Sequence, residues 1–104
     1  MMLPESILCT YKIPAHHPCL AGHFPGNPIV PGVVILDYSR RLLQQWRPEI
    51  RITSMTWTKF HQPLKPEQAF MIELRQKNTG LIQFECRCHQ QKLASGQFQV
   101  KPAS

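Results

Sequence analysis

The residues that could do chemistry fall in one stretch, Gly22-His23-Phe24-Pro25-Gly26-Asn27-Pro28-Ile29-Val30-Pro31-Gly32-Val33-Val34-Ile35-Leu36-Asp37. His23 stands in a loop stiffened by Pro25, Pro28 and Pro31 at three-residue intervals. Each proline fixes its own φ, so the imidazole is mounted before any substrate arrives, as a general base requires. Gly32 falls where a helix should begin. The first N–H groups of a helix lack an acceptor within it, and glycine lets a ligand oxygen approach closely, so this is a ready oxyanion site. Asp37, the sole aspartate of the chain, follows in the second turn beside Leu36. Each feature alone has an ordinary explanation: a surface histidine, a proline turn, a negative charge favoured by the helix dipole. Their concentration in sixteen consecutive residues is what carries weight.

These residues need elements to hold them. Ser6 to Ile13 reads as a strand, and residues 14–31, with Pro14, Pro18, Pro25, Pro28 and Pro31, as a stiff ordered loop. Gly32 to Trp46 reads as a helix: Val33, Leu36, Leu43 and Trp46 form an apolar stripe widened by Ile35 and Leu42. Pro31 suits its first turn, Pro48 ends it, and Arg47 in its last turn suits the dipole. Ile52 to Phe60 is rich in threonine and aromatic residues and reads as a second strand. Phe70, Ile72 and Leu74, then Ile82, Phe84, Cys86 and Cys88, then Ala94, Gly96, Phe98 and Val100 each define one face of a further strand. Asn78-Thr79-Gly80 and the region of Gln90-Gln91-Lys92 are the turns, and the four later strands are expected to be joined in hairpin fashion. Grouped strands with one helix predict an α+β domain, an antiparallel sheet of about five strands wrapped around one long central helix. One helix covers one sheet face, so the other face or an edge is expected to meet a second copy.

The chain has 104 residues, 42% of them hydrophobic, and is read as one domain spanning 1–104. No run approaches the roughly 18 apolar residues of a membrane span, and the N-terminus lacks a secretory pattern, so a cytoplasmic protein without membrane contact is expected. Cys9, Cys19, Cys86 and Cys88 are then read as free thiols. The Cys-x-x-Cys spacing of common zinc sites is absent, and no metal is expected. The net charge of +6 is spread without a basic run, which argues against nucleic acid and is compatible with an acidic protein partner.

The motif His23-Phe24-Pro25-x-x-Pro28-x-x-Pro31-Gly32-Val33, with an acidic residue fourteen positions after the histidine, resembles the FabA/FabZ-type 3-hydroxyacyl-[acyl-carrier-protein] dehydratases of the hot-dog superfamily. Lys59-Phe60-His61-Gln62-Pro63-Leu64-Lys65-Pro66 is similar to that family's aromatic-then-proline turn. The aspartate at 37 is of the FabA kind, and the short length is similar to the ApeI-like, FabZ-like dehydratases of aryl-polyene and related lipid clusters. The resemblance implies a hot-dog fold, a homodimer or higher assembly, no cofactor, and a 3-hydroxyacyl thioester on acyl carrier protein or coenzyme A as substrate. It implies that His23 removes the α-proton, that the Gly32 N–H binds the thioester carbonyl, and that Asp37 of a second subunit faces His23 across the site and delivers a proton to the leaving hydroxyl. Phe24, Ile29, Pro31, Val33, Trp57 and Phe60 become candidates for the acyl-chain wall, and Arg40, Lys59 and Lys65 for carrier-protein contact.

This sequence departs from the family after the acid. Small residues and a glutamine four positions on are the rule there; here Asp37-Tyr38-Ser39-Arg40-Arg41 follows. Arg41 is within ion-pair reach of Asp37 on a helix, which favours the charged carboxylate. Either Arg41 points elsewhere, or Asp37 acts as a charged anchor for the hydroxyl or water while His23 shuttles the proton; the second is the expectation. Two rivals share the fold: an acyl thioesterase, in which the acid activates water, and a non-catalytic acyl-binding subunit. The proline-rich histidine loop favours dehydration, because hot-dog thioesterases generally lack it.

Overall fold

The structure, a computed structural model, describes residues 5–17 and 29–103. Its elements are β1 (Ser6–Lys12), α1 (Gly32–Trp46), β2 (Ile50–Phe60), β3 (Ala69–Asn78), β4 (Leu81–Cys88) and β5 (Gln91–Pro102). They form one five-stranded sheet in the order β1-β3-β4-β5-β2, with every pair antiparallel.

Alternation built this sheet. Phe70, Ile72 and Leu74 on β3, Ile82, Phe84 and Cys86 on β4, and Ala94, Phe98 and Val100 on β5 are all buried on the face that meets α1. Register follows, because a one-residue slip would turn every one of these side chains to solvent. Phe84 and Phe98 stack with centroids 4.9 Å apart. Gly96 lies under the Phe84 ring, where a Cβ would sit 2.5 Å from two ring carbons and 2.7 Å from the Trp57 carbonyl oxygen. Only glycine permits that approach.

The helix bounds match the sequence reading, but its buried arc is rotated. Ile35, Ser39, Leu42 and Leu43 face the sheet, whereas Val33 is 71% exposed. Ser39 can enter the core because its hydroxyl donates to the Ile35 carbonyl at 3.0 Å and lies 3.7 Å from Cys86 Sγ. Leu36 and Trp46 pack at the margins of the core. Arg47 is the C-cap rather than part of the last turn: its N–H donates to the Leu43 carbonyl at 2.7 Å, and its guanidinium covers the Trp46 ring at 4.5 Å.

Two turns are hairpins. Asn78 Oδ1 accepts from the Gly80 N–H at 2.8 Å between β3 and β4, and His89-Gln90 joins β4 to β5, with His89 at a φ of 59°. The expected hairpin between β2 and β3 does not form. β2 pairs with β5, and β3 lies between β1 and β4, so the connection crosses from one side of the sheet to the other. It is held by backbone contacts rather than by a tight turn. The Val30 N–H donates to the Leu64 carbonyl at 2.8 Å, and the Glu67 N–H to the Ile13 carbonyl at 2.8 Å. Glu67 Oε1 also accepts from the Ala15 N–H at 2.7 Å. This crossover therefore clamps both ends of the proline-rich loop that precedes α1.

β2 also differs from an even strand. Its register shifts at Thr53 and at Thr56, and each hydroxyl bonds a β5 carbonyl there, Thr53 to Gln99 at 3.1 Å and Thr56 to Gln97 at 3.2 Å. Bulges twist an edge strand and re-aim its side chains.

Candidate active site

Pro31 is the N-cap of α1, with φ −60° and ψ 143°. Proline has no side-chain acceptor, and no side chain among the described residues caps this terminus; Val34 donates to the Pro31 carbonyl at 3.0 Å, which leaves the N–H groups of Gly32 and Val33 for a ligand. The Phe60 ring rests against Gly32: a Cβ there would lie 2.5 Å from the ring. Glycine therefore serves two ends at position 32, bare backbone for an incoming oxygen and room for the aromatic wall.

Beside this helix tip runs an apolar groove of about 540 Å³. Ile29, Pro31, Gly32, Val33 and Phe60 line it, together with Leu36, His61 and Pro63. These come from the end of the proline loop, the first turns of α1 and the β2–β3 crossover, which the Val30–Leu64 bridge ties together. Phe60 is 53% exposed and Val33 more so, so the groove opens to solvent in the single chain. Its size and apolar lining suit an acyl chain.

Trp57 does not join it. It lies opposite Gln97 on the outer face of the sheet, in a cleft of about 390 Å³ with Glu73, Arg75, Lys77, Glu85, Arg87 and Lys92. The reason is strand parity: Trp57 and Phe60 are three residues apart, so they point to opposite faces. His23 and Phe24 lie outside the described residues.

Asp37 sits one turn beyond Val33 on the exposed side of α1 and is not a wall of the groove. Arg40 meets Oδ1 at 2.8 Å and Arg41 meets Oδ2 at 2.8 Å. The Arg41 pair matches the i+4 reading; Arg40 does the same from i+3, which the sequence reading missed although the spacing rule covers both. The Arg40 hydrogen bond, with Arg41 behind it, holds the carboxyl below its ordinary value. Other reactive groups are silenced. Burial pushes the Cys86 thiol up to about 12, which leaves it a neutral, inert packing residue at physiological pH.

His61 is the second residue missed. It lines the groove, and its Nε2 lies 3.0 Å from Ser95 Oγ. Only the crossover's path brings it there, and no local pattern foretells that path. Among the described residues no group of histidine, cysteine or carboxylate side chains is arranged to hold a metal, and no helix is long and apolar enough to cross a membrane.

Residues 3–97 match the family model for ApeI-like dehydratases. The chain belongs to the ApeI-like dehydratase family. Among curated relatives it is 28% identical over 95 residues to a 3-hydroxyacyl-[acyl-carrier-protein] dehydratase FabZ of Ehrlichia chaffeensis, covering 82% of this chain and 65% of that protein. A FabZ of Ehrlichia canis is 24% identical over 111 residues, covering 92% and 74%. The match thus spans a little under two thirds of the Ehrlichia chaffeensis relative. Among solved structures, the dehydratase heterocomplex ApeI:P from Xenorhabdus doucetiae superposes with a TM-score of 0.83 at 21% identity, covering 92% of this chain and 87% of that one. An acyl-CoA hydrolase from Staphylococcus aureus gives a TM-score of 0.75 at 9% identity, covering 96% and 65%. The ApeI-like chain therefore has the hot-dog fold, which dehydratases and hydrolases share.

Proposed function

We propose that this ApeI-like protein dehydrates 3-hydroxyacyl thioesters, presented on acyl carrier protein, to trans-2-enoyl thioesters in a fatty-acid-like biosynthesis. The observation that carries the reading is the uncapped helix tip at Gly32, set at the mouth of an apolar groove in a chain of this family. The acyl chain lies along Phe60 and Ile29, which places the thioester carbonyl at the tip. His23 takes the proton from the α-carbon. Charge builds on the carbonyl oxygen, where an oriented N–H contributes about 3–4 kcal/mol to the transition state. The C–H electron pair becomes the new double bond, the bond from the β-carbon to oxygen breaks, and the hydroxyl takes the proton back from the His23 imidazolium and leaves as water facing Asp37.

Asp37 stands outside its own chain's groove, which supports a site built from two copies, the histidine of one facing the aspartate of the other. Lys65, exposed and next to the groove-lining Leu64, offers a basic rim suited to an acidic carrier protein, whereas Lys59 points with Trp57 to the other sheet face. Arg40 is committed to Asp37 and is not counted with Lys65.

The test is to incubate the purified protein with a 3-hydroxyacyl carrier-protein thioester and follow enoyl absorbance and free thiol together. Enoyl absorbance should rise with no thiol released. Thiol release would make the protein a thioesterase, and absence of both would make it a binding subunit; either result rejects the proposal.

A further inference from the structure

We propose that Arg40 and Arg41 are positioning residues that hold Asp37 as a carboxylate throughout turnover, so that Asp37 accepts a hydrogen bond from the departing hydroxyl and never supplies its proton. The inference rests on the dehydratase reading for its chemical meaning, but the clamp itself stands on geometry.

Each carboxylate oxygen has its own guanidinium. Arg40 reaches Oδ1 through its terminal nitrogen at 2.8 Å and through Nε at 3.3 Å, and Arg41 reaches Oδ2 at 2.8 Å. Arginine does not deprotonate in proteins, so both partners are permanent cations. Oδ2 takes one contact and keeps a lone pair for the hydroxyl's hydrogen bond, while a proton on either oxygen would forfeit the attraction of both cations. A single exposed ion pair has little effect on stability. Two cations on one carboxylate, however, act in the same direction on its proton affinity.

The clamp is anchored to the core. The Arg41 guanidinium lies 5.9 Å from the Tyr38 ring centre. Tyr38 meets Tyr11 edge-on at 5.2 Å and Phe70 at 6.1 Å. Among the described residues, the elements packed against this part of α1 bring no competing charge to Asp37. β1 offers Tyr11, whose hydroxyl burial pushes up to about 12, and β3 offers the apolar Phe70; β2 packs near the other end of α1 with Ile50 and Ile52. Among the described residues, Arg40 and Arg41 are the charged groups acting on Asp37.

The proton balance follows. His23 takes the proton from the α-carbon, and the same imidazolium returns it to the hydroxyl oxygen as the carbon–oxygen bond breaks. Water leaves, the histidine is neutral again, and Asp37 is unchanged.

Because Asp37 is the only aspartate, selective ¹³C labelling of the aspartate carboxyl gives one resonance to titrate, assigned by its loss in Asp37→Asn. In the intact protein it should titrate below the ordinary 3.8. The double variant Arg40→Gln/Arg41→Gln should raise that midpoint toward the ordinary value, and Arg40→Lys/Arg41→Lys should keep it low. Both arginines are solvent-facing, so the variants should fold. An intact-protein midpoint at or above 3.8, or a midpoint the glutamines leave in place, overturns the proposal. The titration needs no turnover. A shifted midpoint in a protein that dehydrates nothing would reject the proposed function and leave the clamp standing; a dehydratase with an ordinary Asp37 would do the reverse.

Discussion

His23→Ala should lower the dehydration rate by about 10²–10⁴-fold, the usual contribution of a positioned general acid–base group, while the melting temperature stays within a degree or so of the parent. The size of the loss follows from what remains. Gly32 still presents its N–H at the groove, so substrate binding and part of the oxyanion stabilisation survive. Only the group that moves the proton is gone, and no neighbour replaces it: Asp37 is held ionised by two arginines, and His61 is engaged with Ser95. The loss should therefore appear in kcat with little change in KM. Initial rates of enoyl formation over a range of substrate concentrations, with a thermal melt alongside, measure both parts. Full activity in His23→Ala would remove the histidine from the site.

Phe84→Ala should produce the largest loss of stability, about 3–5 kcal/mol, the range for a fully buried aromatic. Phe84 is 2% exposed, lies on β4, the central strand of the sheet, and stacks on Phe98. Its ring also occupies the space left by Gly96, so its removal opens a cavity bounded by β-sheet backbone on one side. Sheet backbone relaxes poorly, which places the cost toward the upper end. Since small domains have about 5–15 kcal/mol in total, the variant should unfold at a much lower denaturant concentration or fail to accumulate. Equilibrium urea unfolding of both proteins gives the difference. A loss near 1 kcal/mol would mean that the sheet does not pack as described around this ring.

The contrast between Phe84 and Trp57 shows how far the sequence can be read. On β4 and β5 one face is buried and the other is wet, so apolar residues alternate and the pattern names the core directly. β2 is exposed along most of its length and carries two bulges, so its pattern holds little information about which side chain faces which way. Trp57 and Phe60 were grouped by resemblance, yet parity alone separates them. The helix was legible because Pro31 and Pro48 bracket it, but an apolar stripe with several possible centres did not reveal that Ser39 would be buried and Val33 exposed. That depended on Ser39 finding the Ile35 carbonyl.

Sheet order was beyond local pattern. Whether β3 pairs with β2 or with β1 is settled by long-range burial, and the crossover that results brings His61 and Phe60 to the helix tip. The helix start at Pro31 and Gly32 was legible in full, because helix-start geometry is local. The Arg41 contact was legible from spacing, and Arg40 could have been found by the same rule. The fold places Asp37 off its own groove, which no spacing rule conveys, and the proposal of a shared site rests on that placement.

A shared site has one direct test. His23→Ala and Asp37→Asn are each expected to be nearly inactive, and each is purified, mixed, unfolded and refolded together. In a two-fold dimer whose sites take one residue from each copy, half the particles are mixed and each mixed particle has one intact site, so the mixture should recover about a quarter of parental activity. If the mixture stays as inactive as its components while refolded parental protein regains its rate, His23 and Asp37 do not meet across two copies, and the proposed elimination of water has no complete site in this assembly.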